Sequence, residues 1–361
     1  MTIEEQHNLE VLKKEIDQLK SKAKLKYEIY PSKTLPTTFY QRLVQLIVTA
    51  FWMSILVGFM IVAPTLLLLS FIYYPSSRIF VIAYFMWMIF DSKSAIVGRK
   101  NNWLRESFRH WTLWDHFRGY FPAQLVKTAH LDPSRRYIIG YHPHGVYAIS
   151  MFASVVFNRH FKSLFPGIQV ITNTLPANFW IPFWRDLCIL VGTGSCERRS
   201  IKHRLLHGDP GTSMMIALGG ADEFKYMAEG TLDLVLMKRK GFVKLALITG
   251  SSLVPIIGFG ENNLFQKVKH SFLEPLHSLF RLLVKSEAPL FIGRFGTIIP
   301  KNVPLVTLVG SPIHVNHAVP HPTKQQIDEL HEEYVTKLKE LYHSYKDIFD
   351  AERKQELRFV A

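Results

Sequence analysis

The sequence predicts an α/β protein with a mixed, mostly parallel sheet flanked by helices and anchored by an N-terminal membrane hairpin. Three observations predict it. From about residue 120 onward, short apolar stretches alternate with Gly and Pro punctuation and helical patterns, which is how buried strands of an α/β domain read. Near the N-terminus lies a long run without a single charged residue. No internal repeat or low-complexity tract is visible, which disfavours solenoids and disordered scaffolds. Three parts follow: a cytosolic helical segment over 1–42, the hairpin over 43–90, and a cytosolic, membrane-apposed domain over 91–361.

In the first part Leu9, Leu12, Ile16, Leu19 and Ala23 recur at steps of three and four. That spacing is helical, and it reads better as a solvated or membrane-lying helix than as a two-heptad coiled coil. From Leu43 to Ser77 there is no Lys, Arg, Asp, Glu or His, and after Arg78 a second uncharged run extends from Ile79 to Phe90. A spanning helix takes about 20 apolar residues, so the pair suffices for two crossings. Turn candidates are Pro64 and Tyr74–Arg78, the second favoured; because it leaves a short second limb, a re-entrant hairpin stays open. Lys and Arg precede and follow the run, which places both ends in the cytosol. The charged first 42 residues and the length of the run do not fit a cleavable signal peptide. Beyond the hairpin, Trp103–Trp114 interleaves Trp, Phe and Arg as helices lying at the headgroup level do.

Strands are expected at Tyr137–Tyr141, Val170–Thr172, Leu187–Val191, Ser213–Leu218 and Val254–Phe259. A closing helix starts near Thr323, where Thr323 and Gln326 have capping-box spacing and Ile327, Leu330, Tyr334, Leu338, Leu341 and Tyr345 form one face. The 361 residues are 48% hydrophobic, enough for one large core or two ordinary ones. A net charge of +14 points to polyanionic contacts. Hairpin flanks and the interfacial helix account for much of that excess, so nucleic acid is not expected as a partner. Cys188 and Cys196 have neither disulfide-framework nor zinc spacing and are read as reduced thiols.

Directly after the Tyr137–Tyr141 strand stands His142-Pro143-His144-Gly145, followed by a helix-like stretch from Val146. A strand end leading into a helix lies at the carboxyl edge of a sheet, where α/β proteins bind ligands, and the free N–H groups of the helix attract developing negative charge. Pro143 stiffens the turn, Gly145 allows close approach of a substrate, and an imidazole is a ready acceptor for an alcohol proton. Two histidines without a third ligand nearby do not make a metal site, and none is expected. As residues alone, the block also fits an ordinary surface turn. The second candidate, Gly219-Gly220-Ala221-Asp222-Glu223, again follows an apolar strand; Glu223 could orient an imidazole tautomer and stabilise its cation. Basic clusters at Arg198–Arg204 and Lys238–Lys244 could hold phosphates. Dinucleotide, nucleophile-elbow, phosphate-loop and H-E-x-x-H signatures are absent from the sequence.

On these residues the chain resembles the type-two diacylglycerol acyltransferases, a family that includes monoacylglycerol acyltransferases and some wax-ester synthases. Similarity spans about residues 39–357. The blocks that carry it are Tyr120-Phe121-Pro122, His142–Gly145, Gly219–Glu223, Arg239–Ala246, Phe259-Gly260-Glu261-Asn262 and Val309–Ile313, in that order behind a hairpin. The resemblance implies acyl-CoA as co-substrate with no cofactor, diacylglycerol as acceptor, a lipid bilayer as partner, and an endoplasmic-reticulum or lipid-droplet location. It also makes His144 the base and Glu223 its partner.

The accompanying mechanism puts His142 in support of the turn, an oxyanion on backbone N–H groups near Gly145, and the CoA phosphates on Arg239, Lys244 and Arg198. Monoacylglycerol or a fatty alcohol as acceptor, a ping-pong route through Cys196 or Ser195, and a non-catalytic lipid-droplet hairpin protein are the rival readings. A homo-oligomer is left open.

Overall fold

The computed structural model describes residues 27–30, 38–98, 103–158, 161–268 and 291–360. The expected helix over Leu9–Ala23 lies outside them. Among the described residues there are twelve strands: β1 (Glu28–Tyr30), β2 (Gln124–Lys127), β3 (Tyr137–His142), β4 (Gln169–Thr174), β5 (Gly194–Ser195), β6 (Thr212–Ala217), β7 (Asp233–Leu234), β8 (Ser252–Phe259), β9 (Gln266–Lys267), β10 (Phe291–Ile292), β11 (Val306–Val309) and β12 (Arg358–Phe359). Eight of them form one sheet in the order β1-β2-β11-β8-β3-β6-β4-β5. Its neighbours run parallel except β1–β2 and β8–β11. The sheet is therefore mixed and mostly parallel, and helices cover both faces, as parallel strands require.

Strand β3 is central and wholly buried, and its alternation sorts two cores. Ile138 packs into a cluster with Tyr334 and Leu338 of the closing helix, while Tyr137, Ile139 and Tyr141 face Met151, Val155 and Phe165. The closing helix spans Lys324–Phe349, opened by the expected capping box of Thr323 and Gln326. It buries Tyr334, Leu338, Leu341 and Tyr345, joined by His331, Val335 and Tyr342.

The first apolar run forms α1 (Phe39–Val57), a π-helical turn over Gly58–Val62, and α2 (Ala63–Tyr73), which together make one rod of 35 residues. The chain turns at Tyr74 and re-enters through α3 (Arg78–Phe90). Both helical units are long and apolar enough to cross a membrane. At 1.5 Å per residue the rod is about 52 Å long, well beyond the ~30 Å of a hydrocarbon core. Its lower part is instead seated on the α/β domain, where Val48, Thr49, Trp52 and Met53 are buried. Trp52 meets Trp114 edge-on at 4.8 Å between ring centroids, and Trp114 stacks on Phe157 at 3.9 Å. Farther along, Phe59, Ile61, Leu66, Leu68 and Ile72 are exposed. The foot of α3 is pinned by polar contacts: Tyr84 donates to Asp186 at 2.5 Å and accepts from the Phe183 N–H at 2.7 Å, and Arg185 pairs with Asp91 at 2.8 Å.

Two local expectations are corrected. Leu187–Val191 is not a strand but part of the helix α4 (Trp184–Val191), which ends on Gly192 in the left-handed conformation. Its buried Leu187, Cys188 and Val191 have helical spacing, which a short apolar run does not distinguish from a strand. Trp103–Trp114 is not one interfacial helix: it breaks between Trp103–Arg109 and Leu113–Tyr120, and Trp114 belongs to the core at 1% exposure. Trp103 and Trp111 keep the exposure expected of headgroup-level rings.

Because Trp114 is the ring on which Trp52 and Phe157 converge, Trp114→Ala is expected to cost about 3–5 kcal/mol. Thermal unfolding reads the loss, and faster amide exchange across α1, relative to the β3–β6 pair, shows where it falls.

Candidate active site

The parallel strands β3, β4, β5, β6 and β8 end at one edge of the sheet. There β3 passes through a cis His142–Pro143 peptide into His144 and Gly145, the latter at φ +57°. A side chain on Gly145 would face that backbone strain and would also meet Glu261, with its Cβ 2.8 Å from Cδ of the carboxylate.

His144 is half-buried, with its ring edge-on to Phe224 at 5.4 Å, and Phe224 in turn meets Phe291 at 5.6 Å. Its Nδ1 lies 2.8 Å from the carbonyl oxygen of Gly145. A carbonyl only accepts, so Nδ1 carries the proton and Nε2 keeps its lone pair. Burial pushes the pKa of this imidazole below its ordinary value and favours the neutral ring, only partly offset by the Gly145 carbonyl, which as an acceptor favours the charged form. The result is a neutral acceptor of fixed tautomer in an apolar collar.

Glu223 reaches the site but does not touch the imidazole. Its Oε2 accepts the backbone N–H of His144 at 2.6 Å, and its Oε1 accepts that of Val235 at 3.1 Å. The expectation of a carboxylate on the ring is therefore corrected: the ring nitrogen nearest the backbone is already bound to the Gly145 carbonyl, and the carboxylate binds the loop instead. Glu223 is 4% exposed. Burial raises its pKa to about 7 against the two amides and Arg239, which pull it down. Gly219 makes this possible, because a Cβ there would overlap the Glu223 carboxylate.

His142 is separated from this chemistry. Its side chain points to the opposite face of the sheet from Tyr141, fully buried, with Nε2 3.0 Å from the Tyr334 hydroxyl. Its Nδ1 has no hydrogen-bond partner among the described residues, and burial drops its pKa to about 3. It packs at the end of β3 as a neutral ring, held by the Tyr334 hydroxyl.

Pro143 is buried in the turn. The helix-like stretch predicted from Val146 begins only at Ile149, because Ala148 is left-handed at φ +50°. The first helical N–H groups are not free for a substrate either: Glu261 accepts from Ile149 at 2.8 Å and from Ser150 at 2.7 Å. Its Oε2 also takes the Tyr141 hydroxyl at 3.2 Å. Glu261 was legible only as part of the Phe259–Asn262 block; a carboxylate directly after a buried strand and a glycine is the signal that could have singled it out. Among the described residues, the amides of Gly145 and Val146 have no acceptor.

The three basic residues divide. Arg239 lies beside the Glu223 loop, donating to the Gly219 carbonyl at 3.5 Å and pairing with Asp222. Lys244 is half-buried on the helix Gly241–Thr249. Arg198 is exposed at the start of the helix Arg198–His207, which follows β5 at the far edge of the sheet. Two strands separate β5 from β3, a lateral distance of about 14 Å. Ser195 and Cys196 share that distance: the Ser195 hydroxyl accepts from the Glu197 N–H at 3.2 Å, and burial raises the Cys196 thiol pKa.

Fold and site together define an α/β enzyme that holds one neutral imidazole at a strand end, among aromatic rings, behind two long apolar helices. More particularly, the chain belongs to the diacylglycerol acyltransferase family, whose profile matches residues 70–360. It is 40% identical to diacylglycerol O-acyltransferase 2A of Umbelopsis ramanniana over 78% of this chain and 81% of that protein. It is 38% identical to diacylglycerol O-acyltransferase 1 of Schizosaccharomyces pombe over 88% and 89%. It is also 37% identical to human 2-acylglycerol O-acyltransferase 1 over 73% and 81%.

Because the Glu223 pKa is raised from 4.5 to about 7 on folding, the folded state binds its proton more tightly. This contribution to stability is full below about pH 4.5 and is lost as pH rises through 7. Measured against Glu223→Gln, which does not titrate, the wild type is expected to lose about 3 kcal/mol across that window. Parallel chemical-denaturation curves at pH 4.5, 6 and 7.5 check it; a constant difference between the two proteins overturns the assignment.

Proposed function

We propose that the protein is a membrane-bound acyl-CoA-dependent acyltransferase that moves a fatty acyl group to the free hydroxyl of diacylglycerol, forming triacylglycerol. The observation that carries this reading is the lone pair of His144 Nε2, left free by the Nδ1–Gly145 hydrogen bond and framed by Phe224. Family membership supports the acyl transfer and the acylglycerol acceptor.

A thioester is already activated, so the acceptor needs only deprotonation and alignment. Nε2 takes the hydroxyl proton as the oxygen attacks the thioester carbonyl carbon. The oxyanion forms within reach of the unengaged amides of Gly145 and Val146. As the C–S bond breaks, the imidazolium returns the proton to the departing CoA thiolate. Glu223 acts through the backbone: by holding the His144 amide it fixes the turn from which the ring projects. Transfer is direct, because the Cys196 thiol is held protonated and stands beyond β5, with two strands between it and β3. No cofactor is called for.

In this reading the two apolar helical units form a membrane hairpin with both termini cytosolic, in the endoplasmic reticulum or on lipid droplets. Acceptor and acyl chain enter from the bilayer side, and the CoA nucleotide stays in the cytosol. Arg239, next to the Glu223 loop, is better placed for the CoA phosphates than Arg198. The human relative named for 2-acylglycerol makes a monoacylglycerol the second acceptor to test.

Membranes carrying the full chain, given labelled acyl-CoA with diacylglycerol, monoacylglycerol or a fatty alcohol, are expected to form labelled triacylglycerol fastest. His144→Ala at equal expression lowers that rate about 10²- to 10⁴-fold, and His142→Asn lowers it far less. Retained activity in His144→Ala sinks the mechanism, whereas preference for another acceptor redirects the substrate alone.

A further inference from the structure

A second site lies away from the imidazole, at the foot of the apolar helices. A cavity of about 240 Å³ opens between the end of the second apolar unit, at Ser94 and Gly98, the start of the helix Trp103–Arg109, and the stretch from α4 to Thr193. At about 30 Å³ per water-sized group it has room for a headgroup. Arg105 and Arg204 line it, and Arg109 stands behind Gly192, where an added Cβ would come within 2.8 Å of Arg109 Nη2.

The three guanidiniums differ in what they already bind. Arg109 donates from Nε to the Val191 carbonyl at 2.7 Å and from Nη1 to that of Val170 at 3.1 Å. Arg204 donates to the carbonyls of Ile96 at 2.8 Å and Ala95 at 3.2 Å. Neutral carbonyls do not discharge a guanidinium. Arg105 has less: its Nε is buried without a hydrogen-bond partner, and the nearest carboxylate is Glu106 at 3.7 Å, which is itself bound by Lys162 at 2.9 Å. Asp186, the acid in the cavity wall, is engaged by Arg185 at 3.0 Å and Tyr84 at 2.5 Å. Burial and the charge of Arg105 lower the pKa of both Arg109 and Arg204 to about 10. The cluster is thus three like charges whose nearby acids are shared with other partners, Glu106 with Lys162 and Asp186 with Arg185 and Tyr84, an arrangement that an entering anion stabilises.

Besides Asp186 and the hydroxyls of Ser94 and Thr193, the lining has an apolar wall of Leu104, Ile189 and Leu190 beside the guanidiniums, and the neighbouring Trp103 is exposed. An inorganic anion leaves such a wall unused. The geometry points to a binding site for the phosphate of an anionic phospholipid, seated on Arg105 and Arg204 with its acyl chains along Leu104 and Leu190. The position, directly after a helix long and apolar enough to cross a membrane, is where a headgroup is found.

The test uses the full chain in phosphatidylcholine vesicles carrying a photoactivatable phosphatidate, with the labelled peptides mapped by mass spectrometry. Label is expected on the peptides containing Leu104 and Leu190, and unlabelled phosphatidate competes while phosphatidylcholine does not. Arg105→Gln, which disturbs no hydrogen bond of that Nε, is expected to cut labelling about tenfold or more at an unchanged melting temperature. Leu190→Trp, which fills the cavity and keeps every charge, cuts it as well and covers the case in which the arginine variant folds poorly. Labelling confined to other peptides, or equal in wild type and both variants, overturns the site. Competition by inorganic phosphate or free coenzyme A as strong as by phosphatidate overturns its assignment to a lipid.

Discussion

One buried carboxylate holds two loops of this protein together. Glu223 accepts the amide of His144 with one oxygen and the amide of Val235 with the other, so the chain after β3 is tied to the chain just after β7 through a single side chain. Burying a carboxylate costs several kcal/mol unless its oxygens are bonded, and here the raised pKa records a cost that two amides only partly offset. That arrangement requires Gly219, since any side chain there would occupy the space of the carboxylate. Remove the tie and the His144 turn is fixed only at its ends. The carboxylate therefore fixes the turn that carries the ring, at one remove from the imidazole.

A second carboxylate repeats the device on the other side of the turn. Glu261 caps the helix that begins at Ile149, and Gly145 passes directly over it. Between the two acids the amides of His144, Ile149 and Ser150 are spoken for, which leaves the stretch from Gly145 to Ala148 with unengaged amides, those of Gly145 and Val146 following the ring most closely in the chain. Which amides can meet an oxyanion is thus decided by the acids that occupy the others. Helix-terminus electrostatics alone would have pointed to Ile149 and Ser150.

Much of the fold was legible because burial writes a period into the sequence. The strands around Tyr137, Val170, Ser213 and Val254 are apolar runs between turn residues, and the closing helix has both a cap and a face. Leu187–Val191 misled because five apolar residues fit either period. Trp114 misled because an aromatic residue beside arginine suits both an interface and a core, and only tertiary packing on Trp52 and Phe157 decides. The position of His144 at a strand end could be read from the chain, while the target of Glu223 could not. A carboxylate bound to a backbone amide and one bound to an imidazole are written with the same residues. The two histidines illustrate the limit from the other side: His142 still obeys the alternation of β3 and turns inward to Tyr334, whereas His144 stands two residues later, past the last pleat.

The apolar helices and the site share one packing unit, which is the structural reason to read them as one device. The cluster that seats Val48, Trp52 and Met53 of α1 continues through Trp114 and Phe157 to Phe265, with Val146, Tyr147 and Phe291 packed against it. Close-packed interiors transmit displacement, so the helix foot and the loop carrying His144 cannot move independently. A hairpin joined by a loose linker would leave the imidazole free to face any direction. Seated as it is, α1 orients the collar of Phe224 and Phe291 relative to whatever plane the exposed stretch from Phe59 to Ile72 occupies. The packing that seats α1 thus also sets which way the loop carrying His144 faces.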